Sequence, residues 1–346
     1  MMKKSLLITI DWPPQRGGVA NYLWNIYSRL PKQSVVVLGE SLPAGKLAWL
    51  KIYFVAAKII PAERIESVHI SHILPMGYVA WMIKKIFGLP YIVYLHGMDI
   101  LLARKNLWKK WWAKKILQGA YLVVANSRFT ADEAIKAGAE EGKIEIVYPC
   151  PNFSIPQMAA NFTNTDKNII LSVGRLVERK GFDKVIEAMP EILRDAPDAE
   201  YQIVGDGPYA AELMKLAKKL GVGDRVKFFP NINDAELPEF YKNCRIFAMP
   251  ARKIDADTEG FGIVYLEAAL FGKPSVAGNV GGAPEAVLNN QTGLIINPES
   301  PEEIARAIIK LLKDGDLCRA FGEEARARAE REFRWEAQID YFKDLL

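Results

Sequence analysis

Cysteine and histidine are scarce in this chain, three of each among 346 residues. Cys150, Cys244 and Cys318 stand far apart and are odd in number, so they make no disulfide framework, and no metal-ligand spacing appears around them. A reducing cytoplasm is the simplest setting for such a chain, where the Asn-x-Thr triplets at Asn161 and Asn290 carry no glycan. Long apolar runs are missing as well. None reaches the roughly 18 residues that span a bilayer. The apolar opening at residues 5–10 is interrupted by Asp11, and Trp12-Pro13-Pro14 is no small-residue cleavage site, so the stretch reads as a buried first strand rather than a signal peptide.

What is present fits a folded protein of two domains. Half the residues are hydrophobic and a quarter are charged, which excludes extensive disorder, and 346 residues exceed the ~100–200 of one domain. Charge is unevenly spread. Residues 1–150 hold 20 Lys and Arg against 10 Asp and Glu, while the remainder holds 25 against 31. The basic half favours an anionic partner: a phosphate-bearing substrate, an acidic membrane surface or nucleic acid.

Strand-like runs (residues 6–10, 34–38, 67–70, 91–95 and 121–125) alternate with helical patterns (18–30, 77–87 and 130–137). The alternation breaks at Tyr148-Pro149-Cys150-Pro151-Asn152 and stays polar and unpatterned to about residue 168. It restarts with strands at 169–173, 200–204, 226–229, 245–249, 275–277 and 294–296 and helices at 182–194, 209–220, 302–313 and 317–331. This pattern predicts an α/β protein with two parallel sheets wrapped by helices, one domain over 1–150 and a second over 151–334. The amphipathic segment 335–346 is expected to return to the first domain.

Five loops carry candidate chemistry. Gly17 and Gly18, in Pro13-Pro14-Gln15-Arg16-Gly17-Gly18, precede a helix whose N-terminus offers N–H groups to an anion; a plain tight turn is the alternative. In Ser172-Val173-Gly174-Arg175-Leu176-Val177-Glu178-Arg179-Lys180-Gly181, Arg175 and Lys180 are spaced to aim two cations at a diphosphate. Arg179 suits a solvated turn. Gly205-Asp206-Gly207 follows a strand, with Asp206 equally suited to cap the next helix. Glu259-Gly260-Phe261-Gly262-Ile263 leads into a short helix that contains Glu267 and stops before Gly272 and Pro274. Backbone N–H groups at its start suit phosphate or sugar oxygens. The apolar neighbours of Glu267 imply burial, where a carboxylate needs a partner. The glycine-rich Gly278-Asn279-Val280-Gly281-Gly282 loop is placed to line the same site. His96, in His96-Gly97-Met98-Asp99 after a strand, is the histidine best placed for a ligand, with His69 and His72 around another strand end.

In this order, together with Asn126-Ser127 and the pair Glu259 and Glu267 with seven residues between them, these motifs resemble the retaining glycosyltransferases of family 4, which have the GT-B architecture of two Rossmann-like domains facing across a cleft. The resemblance covers nearly the whole chain. It implies a hexosyltransferase acting on a nucleotide-sugar donor, without cofactor or metal. Arg175 and Lys180 would hold the diphosphate, helped by Gly17 and Gly18. Glu259 and the backbone at Gly260, Phe261, Gly262 and Ile263 would hold the sugar, Glu267 the ribose, and Gly174, Gly205 and Gly207 the nucleotide side. His96 would lie near the reacting carbon. Residues 258–267 with Val276-Ala277-Gly278 look most like enzymes using GDP-mannose, with UDP-sugars second. The acceptor class is a glycan, a lipid-linked sugar or a small molecule.

The segment Arg104-Lys105-Asn106-Leu107-Trp108-Lys109-Lys110-Trp111-Trp112-Ala113-Lys114-Lys115 places three tryptophans on one helix face among lysines. That composition suits an anionic membrane surface on the cytoplasmic side; tryptophans packed in the core, with the lysines solvated, are the alternative. Two other functions fit parts of this pattern: a sugar-nucleotide epimerase of the same architecture, and a non-catalytic nucleic-acid binder using the basic half. No nucleic-acid-binding module is recognisable, so no nucleic acid is expected as a partner.

Overall fold

The computed structural model describes residues 4–15, 17–31, 33–39, 48–152, 167–255 and 257–343. Arg16, Asn161 and most of the expected linker lie outside them. The chain divides into two compact units, Met1–Pro149 with Trp335–Leu346, and Cys150–Arg334.

The first unit is built on β1 (Ser5–Ile8), β2 (Val35–Leu38), β3 (Ser67–Ser71), β4 (Tyr91–Leu95), β5 (Leu122–Ala125) and β6 (Ile144–Ile146). They form one sheet in the order β2-β1-β3-β4-β5-β6, every neighbouring pair parallel. β1, β3, β4 and β5 are buried along their whole length, which is why they read as unbroken apolar runs rather than alternating ones. α1 (Gly18–Tyr27), α2 (Ala48–Glu63), α3 (Met76–Phe87), α4 (Met98–Ala103), α5 (Leu107–Gly119) and α6 (Arg128–Ala137) cover it. The C-terminal α14 (Trp335–Lys343) belongs to this unit. The Trp335 ring lies 5.9 Å from that of Tyr22, and Gln338 Oε1 accepts from the Tyr148 backbone at 2.9 Å.

Two local differences from expectation have plain causes. β1 stops at Ile8 because Thr9 turns the chain: Asp11 N donates to Thr9 Oγ1 at 3.0 Å. α6 starts two residues before the expected Thr130 because Ser127 caps it, its Oγ accepting from Thr130 N at 3.1 Å. α2 has no counterpart among the expected helices. Its sequence is apolar on almost every side and contains Pro61, so no 3.6-residue period stands out. Ile52, Tyr53, Ala56 and Ile60 face the core while Phe54 stays exposed.

The second unit has β7 (Ile169–Val173), β8 (Glu200–Val204), β9 (Val226–Phe229), β10 (Ile246–Met249), β11 (Ser275–Gly278) and β12 (Gly293–Ile296), all parallel, in the order β12-β11-β10-β7-β8-β9. This is the Rossmann order. Its helices are α7 (Phe182–Asp195), α8 (Ala210–Lys219), α9 (Leu237–Asn243), α10 (Ile263–Leu270), α11 (Ala283–Ala286), α12 (Pro301–Lys313) and α13 (Gly315–Glu332). Val185, Ile186, Met189 and Ile192 of α7 and Ile304, Ile308 and Leu311 of α12 recur at helical spacing and share one buried core with the sheet.

Ligands of open α/β sheets bind beyond the carboxyl ends of the strands where successive crossovers leave in opposite directions. That point lies between β1 and β3 in the first unit and between β7 and β10 in the second. In the second, loops from neighbouring strands are in close backbone contact. A Cβ on Gly205 (φ 137°) would lie 2.1 Å from the carbonyl oxygen of Gly174, so only glycine lets the loops after β7 and β8 approach this closely. Asp206 is not the cap of α8: that position is Tyr209, and Asp206 Oδ1 instead accepts from its neighbour Gly207 N at 2.7 Å. Gly205→Ala should therefore cost about 2–4 kcal/mol of stability, read by denaturant unfolding. An unchanged unfolding midpoint would contradict the close approach.

Candidate active site

In the second unit the loop after β7 ends in a short turn, residues 178–180, that buries Lys180. Its Nζ lies 2.6 Å from Glu259 Oε2, a residue delivered by the loop after β10. Arg179 reaches the same oxygen through Nη1 at 2.7 Å and holds Asp257 through Nε at 3.0 Å. Arg179 is thus not the solvated turn residue its sequence context suggested; the turn aims it inward. Burial alone would raise the Glu259 carboxyl, but Lys180 and Arg179 outweigh it and hold the group down at about 2. Oε1 of Glu259 makes no hydrogen bond among the described residues.

Glu178 points the other way, to Arg252 at 3.2 Å, and Arg252 grips buried Asp183 of α7 with two bonds of 2.8 Å. This bidentate pair ties the loop after β10 to the first turn of α7. Arg175 is exposed and has no ion pair among the described residues. The Lys180 side chain runs beside Gly174, its Nζ 3.8 Å from where a Cβ would sit.

Gly260, Phe261 and Gly262 are buried ahead of α10, whose first turn has no side-chain cap. Gly282 N donates to the carbonyl of Glu259 at 3.0 Å, so the loop after β11 supports this segment from its far side. Glu267, partly exposed on α10, has a protein partner that its sequence did not reveal: the buried Tyr241 hydroxyl donates to its Oε2 at 2.7 Å. Burial pushes the Glu267 carboxyl up to about 7, against the lowering effects of Tyr241 and Lys180.

In the first unit the ends of β1, β3 and β4 converge on a second polar group. His72 Nδ1 lies 3.5 Å from Asp11 Oδ2 and 3.2 Å from Ser71 Oγ, which is itself 2.9 Å from His96 Nε2. Asp99 joins two of these loops by accepting from the backbone of His96 at 2.9 Å and of Ile73 at 3.3 Å. Burial first, and His72 second, keep the His96 imidazole well below the usual histidine range. His69 is a core residue: Tyr27 and Ser67 hold its ring inside β3, and burial lowers it to about 3. Among the described residues, chain neighbours and the helix's own backbone aside, no heavy atom lies within 4 Å of a Cβ placed on Gly17 or Gly18.

The structure therefore gathers Lys180, Glu259, Gly174, Gly205 and Gly207 and the residues 260–263 at one strand-end crevice, with Glu267 one helical turn away. His96 stands at the other crevice, in the first unit. Sequence reasoning missed Arg179, Tyr241, Ser71 and the pairing of Asp11 with His72. The one signal available was position, since Asp11, Ser71 and His72 directly follow strands. Among the described residues no group of three His, Cys, Asp or Glu side chains gathers as a metal site would require.

The model of the glycosyl transferases group 1 family matches residues 155–328, and that of glycosyltransferase family 4 matches residues 35–152. A GDP-mannose-dependent alpha-(1-6)-phosphatidylinositol monomannoside mannosyltransferase of Mycobacterium tuberculosis is 29% identical, covering 100% of this chain and 98% of its own. A related enzyme of Corynebacterium glutamicum, acting on the monoacylated form, is also 29% identical over 99% of this chain and 98% of its own. Among solved structures, the sucrose-phosphate synthase of Thermosynechococcus elongatus superposes with a TM-score of 0.84 at 22% identity, covering 99% and 98% of the two chains. HepE of Anabaena, in complex with UDP-glucose, gives 0.81 at 21% over the same shares. The pair of parallel six-stranded sheets is the GT-B fold of these neighbours, and the chain belongs to the group 1 glycosyl transferases, as a hexose-transferring enzyme.

Proposed function

We propose that the enzyme transfers mannose from GDP-mannose, with retention and without a metal, to a glycan or lipid-linked acceptor. A UDP-hexose is the second choice of donor. The observation that carries the catalytic part is the buried Lys180 ammonium beside Glu259, with Arg175, exposed and without an ion pair among the described residues, one residue beyond Gly174. These two cations, Lys180 held by Glu259 and Arg175 exposed, neutralise the departing diphosphate as the anomeric carbon becomes cationic, the work a divalent ion does elsewhere. A leaving phosphate oxygen takes the acceptor proton on the same face, so no protein base is needed. Glu259, anchored through Oε2, offers Oε1 to a sugar hydroxyl. Glu267 accepts from ribose hydroxyls. Gly17 and Gly18, with open space where side chains would be, leave the start of α1 free for phosphate. The choice of mannose is supported by the full-length likeness to GDP-mannose-dependent relatives; the epimerase and nucleic-acid readings draw no support from these relatives.

The basic segment at 104–115 supports a lipid-linked acceptor. Leu107, Trp108 and Trp111 are exposed by 86%, 66% and 51%. Trp112 is the inner edge of that same face: its ring lies 6.0 and 5.0 Å from those of Trp108 and Trp111 and packs inward against Tyr78 and Trp81. Between Glu66 and Asp132 the chain holds nine Lys and Arg and a single acid, Asp99, which is buried. Exposed indoles ringed by lysines suit the headgroup layer of an anionic membrane. Among the described residues no helix is long and apolar enough to cross one.

Three measurements test this reading. Incubation with a panel of nucleotide sugars should release GDP from GDP-mannose fastest, and Arg175→Ala should cut turnover at least 100-fold (roughly 3 kcal/mol) with an unaltered unfolding midpoint. Wild-type turnover in that variant would remove the cation clamp. Glu267 titrates near 7 in the folded chain, above its ordinary value of 4.5, so its protonated form contributes stability below about pH 4.5 that is lost as pH rises through 7. Because the ionised form binds the ribose, donor KM should rise as pH falls below 7, and Tyr241→Phe should move that midpoint higher. A donor KM flat from pH 8 to 5.5 would separate Glu267 from the donor. Finally, the protein should sediment with anionic vesicles at low salt, less so at high salt, and Trp108→Ala with Trp111→Ala should release it. Absence of sedimentation at every salt concentration would overturn the membrane surface.

A further inference from the structure

The polar chain at the switch point of the first unit runs Asp11, His72, Ser71, His96, and in one proton arrangement every bond has a donor and an acceptor and the Ser71 hydroxyl hydrogen is used. Asp11 can only accept, and its Oδ2 faces His72 Nδ1 at 3.5 Å. A bare Nδ1 there would set a lone pair against a carboxylate, so the proton resides on His72 Nδ1. Ser71 Oγ, 3.2 Å from that nitrogen, is then on the accepting side of it. Its single hydroxyl hydrogen is left for His96 Nε2, 2.9 Å away. His96 is neutral, held so by its buried setting. With Nε2 accepting, its proton sits on Nδ1.

The other groups around His96 do not compete for its ring. Asp99 binds the His96 backbone N–H, Asn126 Nδ2 donates to the His96 carbonyl at 3.4 Å, and the Tyr22 hydroxyl is spent on the Val147 carbonyl at 2.8 Å. His96 Nδ1 makes no hydrogen bond among the described residues. His72 reaches Ser71 from a left-handed backbone, φ 72°, that few non-glycine residues adopt. Such strain persists where the surroundings hold it in place.

We infer that Asp11, His72 and Ser71 are positioning residues that lock His96 as its Nδ1–H tautomer, so that the ring presents a hydrogen-bond donor to a hydroxyl or ring oxygen of the reacting sugar. The tautomer is independent of which donor is used; its effect on turnover rests on the sugar-transfer role proposed for His96. Toward a ring oxygen, which only accepts, a flipped tautomer would set lone pair against lone pair, and toward a hydroxyl it would reverse the bond, so that the sugar donates instead of accepting.

Only three imidazoles, His69, His72 and His96, contribute to the histidine spectrum. Long-range proton–nitrogen correlation NMR of the labelled full chain can therefore read each tautomer, with His72→Asn and His96→Asn assigning the signals. Asn tolerates the left-handed backbone at residue 72. Wild-type protein should show His96 protonated at Nδ1, and a proton at Nε2 would overturn the chain of bonds without any variant. Ser71→Ala should release His96 toward Nε2–H and lower kcat about tenfold, the worth of one hydrogen bond, with donor KM nearly unchanged. Ser71→Thr, which keeps the hydroxyl, should restore both tautomer and rate. If Ser71→Ala moves the tautomer and leaves turnover untouched, the bond chain stands and the role of His96 toward the sugar is overturned.

Discussion

A parallel sheet delivers every strand's following loop to one edge, and the residues of this enzyme that carry charge or polar chemistry follow from that constraint. Each unit has one place where crossovers leave in opposite directions, and a crevice opens there because no helix covers it. In the second unit the loops after β7 and β10 meet there, bringing Lys180 to Glu259. In the first, the loops after β1 and β3 meet there, bringing Asp11 to His72. Residues 79 positions apart and 61 positions apart in the chain become partners for the same topological reason.

The two carboxylates of α10 and its approach show how completely surroundings override residue type. Glu259 and Glu267 have the same ordinary acidity, yet the first is held at about 2 and the second raised to about 7. Glu259 has two cations on one oxygen; Glu267 has a neutral hydroxyl and more desolvation than charge. At neutral pH Glu259 stays an anion that fixes Lys180 in place, while Glu267 sits at the edge of ionisation. Arg175, Arg179 and Lys180 of the loop after β7 stand here against the acids Glu259 and Asp257, and of the three only Arg179 and Lys180 are held by those carboxylates.

Sequence reasoning reached every strand of both sheets but β6, because buried parallel strands are written as apolar runs between amphipathic helices, whereas β6 is three half-buried residues. Glycine and charge spacing marked Arg175, Lys180, Glu259 and Glu267 as candidates, and the structure brings Lys180 and Glu259 into contact. Sequence reasoning did not reach Arg179, whose neighbours in sequence are charged and whose inward aim comes from the turn at 178–180. Tyr241 was invisible for a different reason: its place beside Glu267 depends on α9, a seven-residue helix with too few turns for a period to register. The tryptophan segment was half legible. A helical wheel groups Trp108, Trp111 and Trp112, but packing of α5 on α3 draws Trp112 against Trp81 and leaves the other two outside. A wheel gives angles, and only the neighbouring helix decides which edge of a broad apolar stripe it covers.

Glycine content carries a finer distinction that separates framework from contact surface. Gly205 lies against the Gly174 carbonyl, and Cβ atoms on Gly281 and Gly282 would lie 2.1 and 2.2 Å from the carbonyls of Glu259 and Gly260. These glycines let one loop rest on another, and backbone of the loop after β11 supports the segment that holds Glu259 and the start of α10. Supported backbone does not reorganise when a ligand arrives, which is what makes fixed dipoles and charges effective at a developing charge. Gly17 and Gly18 have no such neighbours. A glycine that packing does not require, at the start of a ten-residue helix, keeps a surface bare, and a bare helix N-terminus is where an anion binds. The same residue type therefore lets loops pack on one another in the second unit and leaves space beside the start of α1 in the first.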